Sequence, residues 1–94
     1  MENFNDEFEW DEEKAETNVV KHGITFEEAV SVFTDFGLIT RDDEYHSEEE
    51  PREIATGYSL KMRLLVVVFT ERAGKTRIIS ARLSTSSERK IYES

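Results

Sequence analysis

The sequence predicts an α+β fold in which helices pack on a single β-sheet. Residues 64–69 are six consecutive apolar residues, mostly β-branched or aromatic, and such a short run is typical of a buried strand. Gly74 can take the positive φ of a short connection and residues 76–83 resume strand composition, so the two segments form a predicted β-hairpin. Apolar residues recur at i, i+3, i+4 and i+7 in residues 26–33, which indicates a helix. A chain of 94 residues can enclose one modest core, so we predict a single domain, residues 1–94.

The N-terminal half is predicted to form a strand followed by two helices. Residues 1–7 are acidic and have no cap, so we expect a loose terminus. Residues 8–10 alternate apolar and polar side chains, which fits a short edge strand. Asp11 can cap a first helix that ends at Gly23, and residues 25–28 match a capping box that opens a second helix.

The C-terminal half is predicted to consist of antiparallel strands and a last helix. Residues 38–40 and 52–60 have strand composition and flank an acidic loop, residues 41–50. A charge run of this kind is usually a solvated surface, and this one lacks the glycine and the ligand spacing of a calcium loop. Residues 85–88 match a second capping box, which begins a short helix through Tyr92. We therefore expect an antiparallel sheet of about four to five strands, packed by two N-terminal helices and accompanied by a short C-terminal helix.

The charge is distributed unevenly along the chain. Residues 1–50 contain three basic and 17 acidic residues, a net charge of −14, whereas residues 51–94 contain nine basic and four acidic residues, a net charge of +5. This asymmetry suggests a basic working surface beside an acidic one that could engage a basic partner. A solvated acidic surface without a partner is the plainer interpretation. A third interpretation is that the acidic half mimics nucleic acid, but the positive charge of the other half would oppose such mimicry.

Composition excludes several classes of protein. The absence of cysteine excludes disulfides and thiolate chemistry. The first ten residues are acidic where a signal peptide is basic, and no apolar run approaches the length needed to span a membrane. We therefore expect a cytoplasmic protein without a membrane partner.

The first predicted helix carries a cluster of polar residues that suits phosphate binding. Lys14, Asn18, Lys21 and His22 are separated by 4, 3 and 1 positions, so on a helix they lie on one face. Two cations, an amide and an imidazole in this arrangement resemble a phosphate-facing surface. The alternative for His22 is a structural one, a half-buried residue at the helix end that is held by a backbone carbonyl and the helix dipole.

Candidate residues outside this helix have equally plain alternatives. Trp10 could stack on an RNA base, although a lone tryptophan in a small domain is more often a core anchor. Glu71 is a candidate proton acceptor, although a surface carboxylate beside an arginine is the commoner situation. Three arginines could neutralise a scissile phosphate or simply pair with carboxylates of the N-terminal half, and composition leaves both open. They are Arg63, Arg77 and Arg82.

Metal chemistry is not expected from this sequence. His22 and His46 are the only histidines, and no helix presents a His-Glu-x-x-His pair. A glycine-rich phosphate loop and a serine nucleophile motif are also absent. Any hydrolysis would therefore be free of metal and cofactor. RNA permits this because its own 2′-hydroxyl can attack the adjacent phosphate, which leaves the protein to position, deprotonate and neutralise charge.

Several blocks of sequence, taken together, resemble the BrnT toxin family. The blocks extend from residue 8 to residue 93, and their joint order and spacing are more specific than any one of them. They are Phe8-Glu9-Trp10-Asp11, Lys14, Asn18, Lys21-His22-Gly23-Ile24, Phe26-Glu27-Glu28-Ala29, Arg63-Leu64-Leu65-Val66-Val67-Val68, Thr70-Glu71-Arg72, Arg77-Ile78-Ile79-Ser80-Ala81-Arg82, Glu88-Arg89 and Tyr92-Glu93.

The resemblance implies a RelE-like fold and a bacterial type II toxin that lowers translation as a metal-independent ribonuclease. It also implies a BrnA-like antitoxin with a ribbon-helix-helix DNA-binding part, so that the pair binds operator DNA through the antitoxin and represses its own operon. By the same resemblance, Arg63 and Arg82 are expected to clamp phosphate, and His22 or Glu71 to accept the proton of the 2′-hydroxyl. The expected RNA-binding residues are Lys14, Lys21, Arg77 and Trp10.

Two departures from the family pattern lower the RNA affinity that we expect. Ser86 and Ser87 stand where the family commonly has basic residues, and Tyr58 stands where many members have arginine. A catalytically attenuated module that pairs with a DNA-binding antitoxin is therefore the alternative function.

The hairpin is expected to fix Arg63, Glu71, Arg77 and Arg82 around one phosphate. Strict alternation in its second strand would, however, place Arg77 and Arg82 on opposite faces unless a bulge intervenes, so we favour Arg82 as the site residue.

Overall fold

A computed structural model describes residues 7–45 and 50–94 of the chain. Residues 1–6 of the terminus predicted to be loose, and residues 46–49 of the predicted acidic loop, lie outside the described residues. The elements in chain order are β1 (Phe8–Trp10), α1 (Glu12–His22), α2 (Phe26–Ser31), a 3₁₀ turn (Val32–Thr34), β2 (Ile39–Asp42), β3 (Glu53–Tyr58), β4 (Leu64–Arg72), β5 (Lys75–Leu83) and α3 (Ser86–Glu93).

The strands form one five-stranded sheet in the order β1-β5-β4-β3-β2. Strands β2 to β5 pair in antiparallel fashion, as predicted. The edge strand β1 is parallel to β5, so the sheet is mixed at this edge only. The structure confirms the predicted α+β class, the edge position of β1 and the three helices.

Two residues with positive φ connect β4 to β5. Ala73 has φ 54° and Gly74 has φ 81°, and Arg72 pairs directly with Lys75. A two-residue turn with both residues in the left-handed region matches the right-handed twist of a hairpin. The sequence predicted this conformation for the glycine only.

A β-bulge at Ile79 interrupts the alternation of β5. Val68 pairs with Ser80 and Phe69 with Ile78, which leaves Ile79 without an opposite residue. As a result Ile78 and Ala81, three positions apart, are both buried in the core. Residues 77, 80 and 82 therefore share the other face of the strand. Because of this bulge, Arg77 and Arg82 lie on the same face of β5.

The core lies between the inner face of the sheet and the first two helices. The apolar spacing predicted in residues 26–33 is confirmed, although the helix tightens into the 3₁₀ turn after Ser31. Phe33 packs against Phe8 and Phe69 with ring centroids 5.2 Å apart in both cases. The buried cluster comprises Ile24, Phe26, Ala29, Val30, Val32, Ala55, Leu65, Val67, Phe69, Ile78 and Ala81.

The outer face of the sheet carries α3. The predicted capping box is present, since Thr85 and Glu88 bond to each other's backbone N–H groups. The Tyr92 hydroxyl donates to Asp35 Oδ2 over 2.6 Å, and the same oxygen accepts the backbone N–H of Tyr58 at 2.7 Å. This shared carboxylate raises the pKa of Tyr92 to about 12. The Asp35 carboxylate therefore links α3 to strand β3.

Candidate functional site

Helix α1 is capped at both ends, by Asp11 and by Gly23. Asp11 Oδ1 accepts the N–H groups of Glu13 at 2.8 Å and Lys14 at 3.1 Å, which satisfies two donors that a helix start leaves free. At the other end Gly23 has φ 71° and donates to Val19 O. Lys21 lies in the last turn, where a cation complements the helix dipole.

Asn18 anchors α1 to the edge of β5. Its Nδ2 donates to Ile24 O at 2.9 Å and to Ala81 O at 2.8 Å, and its Oδ1 accepts Ala81 N–H at 3.1 Å. Strand β1 pairs with β5 only as far as Ile78, so the amide replaces a strand partner at Ala81. Asn18 is 5% exposed. Asn18 lies on the same helix face as the cations, as predicted, but its amide satisfies buried backbone groups and is not free to bind phosphate.

A groove of about 320 Å³ lies between α1 and the bulged part of β5. It brings together three predicted site residues, the side chains of Lys14, Lys21 and His22, all of which are exposed. The bulged residues Ile79 and Ser80 contribute one wall. The complete lining is Asp11, Glu13, Lys14, Thr17, Asn18, Lys21, His22, Ile79 and Ser80. Ammonium, imidazole and hydroxyl groups in one groove suit the binding of a phosphate and the transfer of a proton.

Arg63 lies next to the end of α1 and is paired with a buried carboxylate. Its Nε donates to Glu28 Oε2 at 2.9 Å, and its Nη2 donates to Glu28 Oε1 and to Gly23 O, the latter at 3.5 Å. The Ser59 hydroxyl also donates to Glu28 Oε2, at 2.7 Å. The Arg63 guanidinium, and to a smaller extent Ser59, lowers the pKa of Glu28 against the opposing effect of burial. Arg63 is thus fixed one residue from His22.

The same contacts correct the predicted capping box at the start of α2. Thr25 Oγ1 accepts the N–H of Glu28 at 3.0 Å, as predicted. The Glu28 carboxylate does not complete the box, because it bonds to Arg63 and Ser59 instead. A Thr-x-x-Glu pattern is compatible with a capping box and equally with a glutamate that forms a buried ion pair. The sequence therefore did not indicate the pairing of Glu28 with Arg63.

Arg82 lies on the outer face of the sheet, away from α1. It forms a bidentate pair with Glu88 on α3, with both N–O distances 2.8 Å. This pairing lowers the pKa of Glu88 to about 2 and raises that of Arg82. Arg63 precedes β4 on the helix side, so the two predicted phosphate clamps lie on opposite sides of the sheet.

Glu71 and Arg77 are also remote from the groove. The nine residues of β4 place Glu71 about 26 Å along the strand from Arg63, and its carboxylate accepts the hydroxyl of Thr76 at 3.1 Å. Arg77 pairs with Glu9 at 3.2 Å. The expectation that the hairpin gathers Arg63, Glu71, Arg77 and Arg82 around one phosphate is therefore wrong, because β4 is too long and the sheet separates two of them.

Trp10 is half-buried at the end of β1. Its ring meets Phe26 edge to face, with centroids 5.9 Å apart and an interplanar angle of 81°. It packs against the buried core. This placement matches the core-anchor alternative and leaves only part of the ring to a ligand.

Two further properties of the described residues bear on the site. Within residues 7–45 and 50–94, no group of three or more histidine, aspartate or glutamate side chains is placed to hold a metal ion. His46 lies outside this part of the chain. No helix in the described ranges is long and apolar enough to cross a membrane.

Comparison with known proteins identifies the family. Residues 10–88 match the model of the family described as "Ribonuclease toxin, BrnT, of type II toxin-antitoxin system". The chain belongs to the BrnT family. The matched residues include the whole α1–β5 groove and the β4–β5 hairpin. The BrnT resemblance deduced from the sequence is thereby confirmed. Type II systems pair the toxin with a protein antitoxin, so membership implies such a partner for this chain.

A solved structure supports the fold of this BrnT family member. The Brucella abortus ribonuclease toxin BrnT, solved at 1.1 Å resolution, is similar with a TM-score of 0.60 and 22% sequence identity. The similarity covers 82% of this chain and 94% of the Brucella chain. A search of curated proteins found no match.

Proposed function

We propose that this chain is the toxin of a type II pair and cleaves RNA without a metal ion at the α1–β5 groove. The observation that carries the proposal is the convergence of Lys14, Lys21 and His22 in one groove, with Arg63 fixed beside it. Family membership supports the ribonuclease activity. We expect the pair to act in the cytoplasm, where translation takes place.

The mechanism assigns a task to each of these groups. The lysines bind the phosphates that flank the scissile bond and hold the 2′-hydroxyl in line with the phosphorus. The His22 imidazole accepts the proton of that hydroxyl, since imidazole is the side chain that most often acts as a general base. Charge then develops on the phosphate oxygens as the 2′-oxygen forms its bond to phosphorus and the bond to the 5′-oxygen breaks. The products are a 2′,3′-cyclic phosphate and a 5′-hydroxyl, whose proton comes from water. Lys21 and Arg63 stabilise this charge.

The test is cleavage of single-stranded RNA by the purified protein at low salt with EDTA present. His22→Ala should lower the rate by roughly 10²- to 10⁴-fold, as for the loss of a general base. Lys21→Ala should weaken RNA binding and reduce its salt dependence. Lys90→Ala is the matched control, since Lys90 is exposed on α3 outside the groove.

Exposed groove residues are better probes than Arg63. Arg63→Ala would leave the Glu28 carboxylate buried without its counter-ion, so a loss of cleavage would be confounded with a loss of folding. Folded wild-type protein that leaves RNA intact at low salt would refute the enzymatic proposal. Cleavage that EDTA abolishes would refute the metal-free mechanism.

The pairing of the arginines favours a second candidate function. In residues 7–45 and 50–94, the three arginines that were candidates to neutralise phosphate are already bound to carboxylates. They are Arg63, Arg77 and Arg82. Together with Tyr58, Ser86 and Ser87 in place of family cations, this would make the chain an attenuated toxin. Its task would be to pair with a BrnA-like ribbon-helix-helix antitoxin and to tune operator binding.

A mobility shift discriminates between the two functions. In the second, adding this chain changes the affinity of the antitoxin for operator DNA while RNA cleavage stays at background. In the first, cleavage is measurable and His22→Ala abolishes it without changing the DNA shift. Autoregulation of the operon is compatible with both.

A further inference from the structure

A second groove, of about 570 Å³, runs along one side of α2. Glu27, Val30, Ser31 and Thr34 follow the spacing i, i+3, i+4 and i+7, so they form one continuous helical stripe along it. Phe8, Phe33 and Leu60 complete an apolar lining, and Glu7 is the remaining lining residue. The α1–β5 groove and this α2 groove have no lining residue in common.

The α2 groove is preformed. The Ser31 hydroxyl donates to Glu28 O at 2.6 Å and accepts the backbone N–H of Leu60 at 2.9 Å, which fixes the β3–β4 turn against α2. The ring contacts of Phe33 with Phe8 and Phe69 fix its other end. A rigid apolar groove binds a partner at a low cost in conformational entropy.

The apolar surface extends beyond the groove at the β3–β4 turn. Leu60 is 78% exposed and Met62 is 77% exposed, and Met62 adopts φ 63°, in the left-handed region. Two large apolar side chains displayed on a short, hydrogen-bonded turn are typical of anchors in a protein–protein interface.

The charge around the α2 groove indicates the chemistry of the partner. Its lining contains two acids, Glu7 and Glu27, and no base. The groove is built largely from the N-terminal half of the chain, whose net charge is −14. A partner segment with apolar side chains on one side and Lys or Arg at its flanks would be complementary.

We propose that the antitoxin docks in the α2 groove through an amphipathic helical segment flanked by basic residues. An antitoxin that also binds operator DNA must carry Lys and Arg for the phosphates, so the acidic lining fits it. This inference rests on the proposed pairing with a DNA-binding antitoxin and not on RNA cleavage. Because the two grooves are separate, weakening one should leave the other intact.

The test measures the affinity of this chain for the antitoxin encoded beside its gene, by isothermal titration calorimetry. Leu60→Arg removes an exposed apolar anchor from this chain and replaces it with a positive charge, which repels the basic partner. It should raise the Kd roughly tenfold or more. Glu27→Lys should also raise the Kd, and the increase should be larger at low salt than at high salt. Val20→Arg is the matched control, since Val20 is an apolar residue of α1, 86% exposed and outside both grooves.

The outcomes separate the docking site from the activity. Leu60→Arg should keep the thermal stability and RNA cleavage of the wild type and should escape neutralisation by the antitoxin. If the wild type does not cleave RNA, the calorimetric comparison still decides the docking site. A wild-type Kd for Leu60→Arg, or an equal loss for Val20→Arg, would overturn the proposal. A change confined to self-association of the chain would overturn it as well, because it would assign the groove to a second copy.

Discussion

Replacing Glu28 by glutamine should destabilise the protein although it removes no volume from the core. The Glu28 side chain is 3% exposed and accepts hydrogen bonds from Arg63 and Ser59. Breaking a buried ion pair costs about 3–5 kcal/mol when the remaining charge stays buried. The Arg63 side chain is 37% exposed and can be hydrated after the change, so we expect about 2–3 kcal/mol. In a domain of this size that loss lowers Tm by about 8–24 °C.

A double-mutant cycle measures the pair directly. Urea unfolding at pH 7 of Glu28→Gln, Arg63→Met and the double variant should give a coupling energy of about 1.5–3 kcal/mol. The double variant should be more stable than the sum of the single losses implies, because neither charge is then left alone. A coupling energy below about 0.5 kcal/mol would show that the two residues contribute independently and would refute the reasoning.

Three further predictions concern other parts of the fold, each read from urea unfolding. Asn18→Ala should cost about 2–4 kcal/mol, since it leaves buried backbone groups without partners; a loss below about 0.5 kcal/mol would contradict the anchoring role. Arg82 lowers the pKa of Glu88 to about 2, so its stabilisation is present above the ordinary value of 4.5 and is lost as pH falls towards 2. Glu88→Gln should therefore cost about 1–2 kcal/mol at pH 7, after allowance for solvent screening, and less at pH 3; an equal loss at both pH values would contradict this. Ala73→Asn should stabilise the turn by about 0.5–1 kcal/mol, because asparagine tolerates φ 54° better than alanine, whereas Lys90→Asn should not.

The elements of the fold were predictable because local signals agree with tertiary structure. Asp11 and Gly23 delimit α1 as their side-chain and backbone chemistry requires. The apolar run of residues 64–69 forms a central strand that is covered on its inner face. Parallel pairing of β1 with β5 was not predictable, because three residues carry no signal for the direction of pairing.

The site was predictable only where helical spacing decides the geometry. Lys14, Lys21 and His22 share a groove because Lys21 and His22 lie about two helical turns after Lys14, on the same helix face. The partners of Arg63 and Arg82 depend on which carboxylate another element brings near, and this is a property of the packed fold. Asn18 shows the same limit, since its spacing fits the polar face while its amide bonds to Ala81, 63 positions away.

The extra residue at Ile79 acts as a phase shift in the pattern of β5. Upstream of it odd-numbered positions such as Arg77 face outward, and downstream even-numbered positions such as Arg82 do so. Deletion of Ile79 would make Ile78 and Ser80 consecutive residues of a regular strand, so Arg82 would still face outward and Ala81 would stay in the core beside Asn18. The bulged part of β5 should therefore tolerate the loss of one residue better than the insertion of one.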